Sequence, residues 1–438
     1  MLAACLLAGA LPVPVAGGAS DSGAPPVPVA GGASDSAVLS ARPAATSLRA
    51  SAVREAWSTE TLEAAIATAQ PGDTIVLHAA AYDRILLERD FAGAPVRIRA
   101  AAGETATVAG FVVSGSGYVL GPLRTSAQTT LLGGAHDVVV DGVGCDLSSF
   151  PTDERGVPMS CFVIRDSAHD VRLERTVVRG GWIGVHVYSG GPPSTWVRNV
   201  AVADSDLSGC AVDDIHVDGV DTMVVKHNLI HDPQANDRHN DGIQSQASTN
   251  LRITRNTFSW TTVAAGRNFG TAIMLGNVPE LPERKVTSTY VANNLVARWN
   301  GGRALIVNGT ERTRVVNNTF VDNGAPGAPE PSITIANQGP AAGQNLGLEI
   351  WNNILESVYL DPGSTPPAFF DTNLQLRPLR QMSGTNVVRA APRFADRVTY
   401  RLLAASRARG RGLDRPGTPR VDLDGRKRGR PPSLGARE

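Results

Sequence analysis

This chain of 438 residues is poor in several things, and each shortage narrows what it can be. Lysine occurs three times, at Lys226, Lys285 and Lys427, so the charged surface is built from arginine and acidic side chains. Lys plus Arg and Asp plus Glu both number 41, and this balance leaves no electrostatic footprint for nucleic acid. Aromatic residues are 5% of the chain. No apolar run reaches the roughly 18 to 20 residues of a spanning helix, which excludes a multi-span membrane protein. Cysteine occurs four times. Beyond Cys5 three remain, an odd number that forms no disulfide framework. Cys145 and Cys161 can pair across one loop or stand as buried thiols, and no pair has zinc-ligand spacing.

What is present begins with Met1–Ala19, small and apolar like the core of a signal peptide, although no basic residue precedes it. Leu2-Ala3-Ala4-Cys5 has the form of a lipoprotein box, so an anchor at Cys5 is one expectation. Residues Pro12–Ser22 recur at Pro26–Ser36. Pro, Gly, Ala and Ser without apolar periodicity cannot bury a core, and residues 20–52 read as a flexible linker. Signal, linker and compact body make the layout of a secreted or cell-surface protein.

The body carries an internal repeat. Short apolar segments end in asparagine at Asn228, Asn256, Asn294, Asn318 and Asn353. A second set of short alternating segments centres on Val185, Ile215, Ile243, Ile273, Leu305 and Ile333, spaced 28 to 32 residues apart. A unit of that length holding two or three strands cannot bury its apolar face alone, but stacked coils about 4.8 Å apart share one core. Equivalent residues then form columns, with the asparagines bonding their neighbours above and below inside a turn. This predicts an all-β, single-stranded, right-handed parallel β-helix over 53–400. Ser58 or Thr59 caps a short helix, with Glu60 and Glu63 in its first turn and Leu62, Ala65 and Ile66 as its apolar face, covering the open end. Residues 401–438, with Arg407, Arg409, Arg411, Arg426, Arg428 and Arg430, read as an Arg-rich C-terminal cap or tail, solvated or turned toward an anionic glycan.

Leu62-Glu-Ala-Ala-Ile66, then Pro71-Gly72-Asp73-Thr-Ile-Val-Leu77, resembles the opening of secreted bacterial proteins of the pectate-lyase-like β-helix superfamily. Pro392-Arg-Phe394, Tyr400-Arg-Leu402 and Asp422-Leu-Asp424-Gly425-Arg426 resemble their closing segments. The resemblance spans roughly Trp57 to Glu438 and is specific for fold. The superfamily includes lyases, hydrolases, epimerases and non-catalytic members, so chemistry must come from the site.

Reading one position past each strand centre, the outward column is His186, His216, Gln244, Met274, Ile306 and Thr334. Three positions past, it begins Tyr188, Asp218, Gln246. Polarity gathers in three coils, fed by a loop with His231, Arg238, His239 and Asp241. The result is a trough suited to an extended, anionic polysaccharide. Uronate chemistry needs a group that neutralises the carboxylate, a base for the C5 proton, and an acid. His216 and His239 are the expected base and acid, Arg238 the carboxylate partner, and Asp214 the residue that orients His216. Asp214-Ile-His216 and Arg238-His239 are similar to the Asp-Pro-His and Arg-His elements of mannuronan C5-epimerases, with Ile215 in place of proline.

His186, Tyr188, Asp218, Gln244, Gln246 and the loop tryptophans Trp182, Trp260 and Trp299 complete the expected sugar contacts. Stacked histidines on such a face can also be a purely structural ladder. Asp213, Asp214, Asp218 and Asp241 are oxygen donors of the kind calcium takes, so calcium is a further expectation. The expected function is an exported polysaccharide lyase or uronate C5-epimerase, monomeric. The rivals are a glycoside hydrolase and a non-catalytic glycan-binding or cell-envelope β-helix.

Overall fold

The computed structural model describes residues 50–234, 239–260, 270–276, 284–300, 302–325, 328–337, 344–377, 384 and 386–438. The signal-like segment 1–19, nearly all of the linker and Arg238 lie outside these residues. Ser58 caps the helix Thr59–Thr68. Its hydroxyl accepts the N–H of Thr61, and the Thr61 hydroxyl accepts the N–H of Ser58 in return. Leu62, Ala65 and Ile66 are the buried face, set against the first strands. The helix stops at Ala69, and the strand Thr74–Leu77 follows, held at its start by Asp73, which accepts the N–H groups of Ala52 and Gln70.

From there the chain winds as a right-handed parallel β-helix. Among the described residues two parallel ladders, of 23 and 13 strands, run the length of the molecule, beside one short antiparallel pair. The six strand centres stand in one register: Val185 on Ile215, Ile215 on Ile243, Ile243 on Ile273, Ile273 on Leu305, and Leu305 on Ile333. All six are buried, so the periodic apolar residues form the interior column. One coil shows how the sequence makes the turn. Strand Asp213–Lys226 bends at Gly219 (φ +81°), where an added Cβ would lie 2.3 Å from the Ser189 carbonyl oxygen, so only glycine fits. Leu229–His231 then forms the third side.

Between the second and third sides runs an asparagine ladder. Oδ1 of Asn256 accepts both the backbone N–H and the side-chain Nδ2 of Asn228, each at 3.0 Å. Asn294 serves Asn256 likewise, Asn318 serves Asn294, Asn353 serves Asn318, and Asn373 adds a rung beyond the repeats read from sequence. At the other end Ser205 donates its N–H to Asn228, and its own hydroxyl accepts the N–H of Thr176. The residue before each rung turns the chain with positive φ: His227, Arg255, Asn293, Asn317 and Asn352. Three of these five are asparagine, which tolerates that conformation. His227 is therefore a turn residue, and its exposed ring contacts Asp204.

The C-terminal segment does not stand free in solvent. Tyr400, Leu402, Leu423, Leu434 and Ala436 cover outward-facing Leu295, Val321, Ile354 and Leu374 in a second apolar cluster. Arg428 is the clasp. It is buried, and it donates to Asn293 Oδ1 at 2.6 Å and to the carbonyls of Gly435 and Ala436 at 2.8 and 3.1 Å. Burial pushes its pKa down to about 10. The expectation of solvated arginines thus fails at Arg428, whose five N–H donors are needed by carbonyls that the turn leaves open. Arg407, Arg409, Arg411, Arg426 and Arg430 remain exposed. Cys145 and Cys161 form a disulfide, and Cys210 is a buried free thiol.

Candidate active site

The polar trough lies on the outer face of the larger ladder. His186, His216 and Gln244 stand in direct register, and Tyr188 is paired with Asp218. The His186 and His216 rings meet edge to face, centroids 5.2 Å apart, and His186 also leans on Tyr188 at 5.5 Å. Burial, then the charges of His216 and Arg165, push the His186 pKa down to about 3, so this ring is neutral at physiological pH. Tyr188 folds back over Gly190, whose missing Cβ would come within 2.6 Å of the phenol oxygen.

Two aspartates beneath the column do the orienting. Nδ1 of His216 donates to Asp213 Oδ2 at 2.7 Å, and Oδ1 of the same carboxylate accepts the backbone N–H of Asp241 at 3.1 Å. One coil on, Asp241 Oδ1 accepts the N–H of Thr271 at 2.6 Å, and its Oδ2 lies 2.9 Å from Nδ1 of His239. Both carboxylates are buried, whereas the His239 ring is about half exposed (47%). Burial alone would lower the His216 pKa; the bond and charge of Asp213 outweigh it, and the net shift is upward. The Asp241 contact raises His239 against its own burial. Burial raises the Asp241 carboxyl above the usual carboxylate range, with His239 opposing.

Several sequence expectations are corrected here. Asp214 does not orient His216. It is fully buried beside the Cys210 thiol, between Gly184 and Gly242 in the register, and neither of its oxygens has a hydrogen-bond partner of good geometry. Asp213 takes the role because its Oδ2 reaches Nδ1 of His216 at 2.7 Å, whereas the Asp214 side chain is buried beside Cys210. Gln246 is not opposite Asp218: an irregularity in the ladder pairs Asp218 with Ala247. Trp260 and Trp299 are not sugar platforms. They face each other across adjacent strands inside the coil, rings 5.5 Å apart and both buried, because two indoles fill the interior there. Trp182 is half-buried at the strand entry.

The calcium set does not converge either. Asp214 faces the core, Asp213 and Asp241 already serve imidazoles and backbone N–H groups, and Asp218 is taken by an arginine. Among the described residues no three His, Cys, Asp or Glu side chains group as a metal site. Asp213, Asp214, Asp218 and Asp241 thus do not fit that ion as one set.

Two arginines escaped sequence reasoning. Arg284 is buried and donates to Asp218 Oδ1 at 2.7 Å, to the Ser189 carbonyl at 2.7 Å and to the Gly191 carbonyl at 3.0 Å. It pins one rim of the trough, and its partners lie 66 to 95 residues away, so no local pattern announces it. Arg303 is half-exposed, and its charge bears on His239. Its position just before a strand centre was the one available signal.

The family model described as "Periplasmic copper-binding protein (NosD)" matches residues 153–337, less than half of the chain and centred on these coils. No curated protein matches the sequence. Among solved structures, the PL6 family alginate lyase AlyGC is similar at 14% identity and TM-score 0.50, over 79% of this chain and 54% of that one. The alginate lyase from Paenibacillus sp. str. FPU-7 is similar at 13% identity and TM-score 0.47, over 67% and 98%. Pectate lyase Pel9A is similar at 14% identity and TM-score 0.42, over 86% and 90%. At these identities the likeness is one of fold. With its stacked coils, asparagine ladder and helical cap, the chain has the right-handed parallel β-helix fold, and its likeness to AlyGC is a likeness of that fold.

Proposed function

We propose that the trough binds an extended uronate-containing polysaccharide and removes the C5 proton of one sugar, as a lyase or a C5-epimerase. The observation that carries this reading is the doubled aspartate–histidine device, Asp213 on His216 and Asp241 on His239, in adjacent coils of a polar sheet face. An imidazole held by a carboxylate through Nδ1 presents Nε2 as a stronger base, in a fixed tautomer.

His216 takes the C5 proton. In the lyase the released electron pair forms the C4–C5 double bond, the C4–O bond breaks, and His239 gives its proton to the departing O4. In the epimerase a proton is returned to C5 from the opposite ring face, and no bond to O4 breaks. Arg238, outside the described residues, and Arg303 are the candidates for neutralising the uronate carboxylate, which acidifies C5. His186, neutral by virtue of its surroundings, and Gln244 offer hydrogen bonds to hydroxyls. Hydrolysis needs two carboxyl groups flanking the bond. Asp213 and Asp241 are buried against histidines and backbone N–H groups, Asp214 is buried in the interior and Asp218 is paired with Arg284, which disfavours it.

Among the described residues no three His, Cys, Asp or Glu side chains gather for the copper named in the matched family's description. The disulfide between Cys145 and Cys161 supports folding in an oxidising compartment, in line with export. No described helix is long and apolar enough to cross a membrane. Incubation with alginate, pectate and glycosaminoglycans tests the reading: ultraviolet absorbance of unsaturated uronates reports the lyase, and proton NMR of the recovered polymer reports the epimerase. Retention of a glycan without turnover would make the protein a binding module instead.

A further inference from the structure

A groove of about 840 Å³ crosses the smaller ladder, not the larger one that carries the trough. It runs over the strands Thr107–Val108, Leu123–Thr125, Val143–Leu147 and Val177–Gly180. In one outward column Thr107, Arg124, Gly144 and Val177 stand in register. Gly144 interrupts this column and leaves a notch between Arg124 and Val177. The backbone does not demand glycine there. Its φ is outside the left-handed region, and an added Cβ would meet nothing closer than Cγ of Arg124 at 3.9 Å. What the missing side chain supplies is space for something to approach the strand.

The groups around the notch differ in what they leave open. Arg124 is exposed and makes no ion pair or hydrogen bond among the described residues. Arg179 is committed: it holds both oxygens of Asp206, at 3.0 and 2.8 Å, and stands as a fixed wall. Asp146 lies two residues along the strand from Gly144, roughly 6.6 Å on, and is exposed on the same face. Its Oδ1 accepts the N–H and the hydroxyl of Ser148, at 3.1 and 2.7 Å, which leaves Oδ2 open. Val177 and Pro122 add exposed apolar surface. Cys145, between Gly144 and Asp146, points inward and is bonded to Cys161, so the strand is restrained before any ligand arrives. A bare phosphate or sulfate would meet Arg124 but be repelled by Asp146, and would leave the apolar surface unused. A neutral sugar would leave Arg124 unpaired. An acidic sugar uses all three: its carboxylate pairs with Arg124, a hydroxyl donates to Asp146 Oδ2, and a C–H face lies over Gly144 against Val177.

We infer that the groove at Gly144 is a second glycan site, in which Arg124 and Asp146 hold one acidic sugar unit of a polysaccharide. It goes beyond the reading of the trough and does not require turnover there.

The test is titration calorimetry of the full chain with the tetramers of galacturonate and mannuronate. Gly144→Val fills the notch with a residue that suits a strand and has room, so its melting temperature should be no lower than that of the parent. The expected result is one binding site fewer in Gly144→Val than in the parent, whether or not the trough also binds. Arg124→Gln should weaken that site by about tenfold or more, and Arg124→Lys should restore part of the loss. Should Gly144→Val fail to fold, Arg124→Gln, a change at an exposed side chain, decides alone. Equal stoichiometry and affinity in parent and variants, displacement of the tetramer by inorganic sulfate at the same concentration, or no binding of either tetramer overturns the inference. Failure of the trough reading looks different: no turnover of any uronan, with the site that depends on Gly144 still present.

Discussion

Asp241 echoes, one coil on, what Asp213 does: each carboxylate accepts a backbone N–H of the next coil with one oxygen and turns the other to Nδ1 of a histidine, in a hydrogen bond at Asp213 and in an ion-pair contact of 2.9 Å without hydrogen-bond geometry at Asp241. The helical stacking that builds the fold therefore also aims the imidazoles. In Asp213→Asn the amide can still accept the Asp241 N–H, but its NH2 group faces Nδ1–H of His216, donor against donor. His216 must then change tautomer or turn, and with the charge gone burial is opposed only by the charges of Asp218 and Asp241. The His216 pKa should fall below the ordinary value near 6.5, visible in the histidine ring-proton NMR titration. Because the native value is raised, the pair's contribution to stability is complete below that ordinary value and fades as pH rises through the folded one. The melting difference between variant and parent should be largest in acid, corresponding to about 1.5–3 kcal/mol, and shrink at alkaline pH. An unmoved titration would show that Asp213 does not govern His216.

His216→Ala and His239→Ala should each reduce turnover of the responsive uronan by about 10²–10⁴-fold, with retention of the same polymer kept. His186→Asn should behave otherwise. Its ring titrates near 3, so the native pH–rate profile has no limb from it in the neutral range, and the variant should change KM more than kcat. Turnover in His216→Ala at the parent rate would remove the proposed base.

In the ladder, Asn294 Oδ1 is the acceptor for two buried donors of Asn256, and its own Nδ2 reaches Ile253 O and Asn318 Oδ1. Asn294→Ala leaves Asn256 unsatisfied inside a turn that excludes water. Thermal or denaturant unfolding should report a loss on the order of 3 kcal/mol. A change no larger than that of an exposed substitution, roughly 0.5 kcal/mol, would mean that the turns hold without their rungs.

The ladder and the strand register were legible in the sequence because both are periodic, and a solenoid converts sequence period directly into spatial column. The His186–His216–Gln244 column follows from the same arithmetic. What misled was the local phase at the strand entry. Strict alternation puts Asp214 beside His216 on the outer face, yet the column it occupies is Gly184, Asp214, Gly242, Ala272, Ala304 and Ser332, all buried and otherwise small. A run of small residues in register marks a buried position with little room for side chains, and that signal was present. The tryptophans misled for a related reason: Trp260 and Trp299 end strands, and their rings turn into the coil. Arg284 had no local mark, since the carboxylate and carbonyls that need it lie in coils read much earlier.

Asp214 offers the sharpest separation between structure and catalysis. Burial holds its carboxyl well above the ordinary carboxylate value, with the nearby thiol of Cys210 only partly offsetting it. In the unfolded chain the group ionises near 3.9, so folding must keep or restore the proton at any higher pH. The sign follows: a carboxyl whose folded pKa is raised contributes fully to stability below its unfolded value and loses that contribution as pH rises toward the folded one. The slope approaches about 1.4 kcal/mol per pH unit over that interval. Asp214→Asn has nearly the same shape, fits the space left by Gly184 and Gly242, and carries no proton to lose. Its melting temperature should match the parent near pH 4 and exceed it increasingly toward pH 7. Because Asp214 is not in the trough, turnover at pH 7 should stay within a few-fold of the parent. Parallel melting curves across that range would show the carboxyl to be ionised in the folded protein. A variant as inactive as His216→Ala would return Asp214 to the reaction centre.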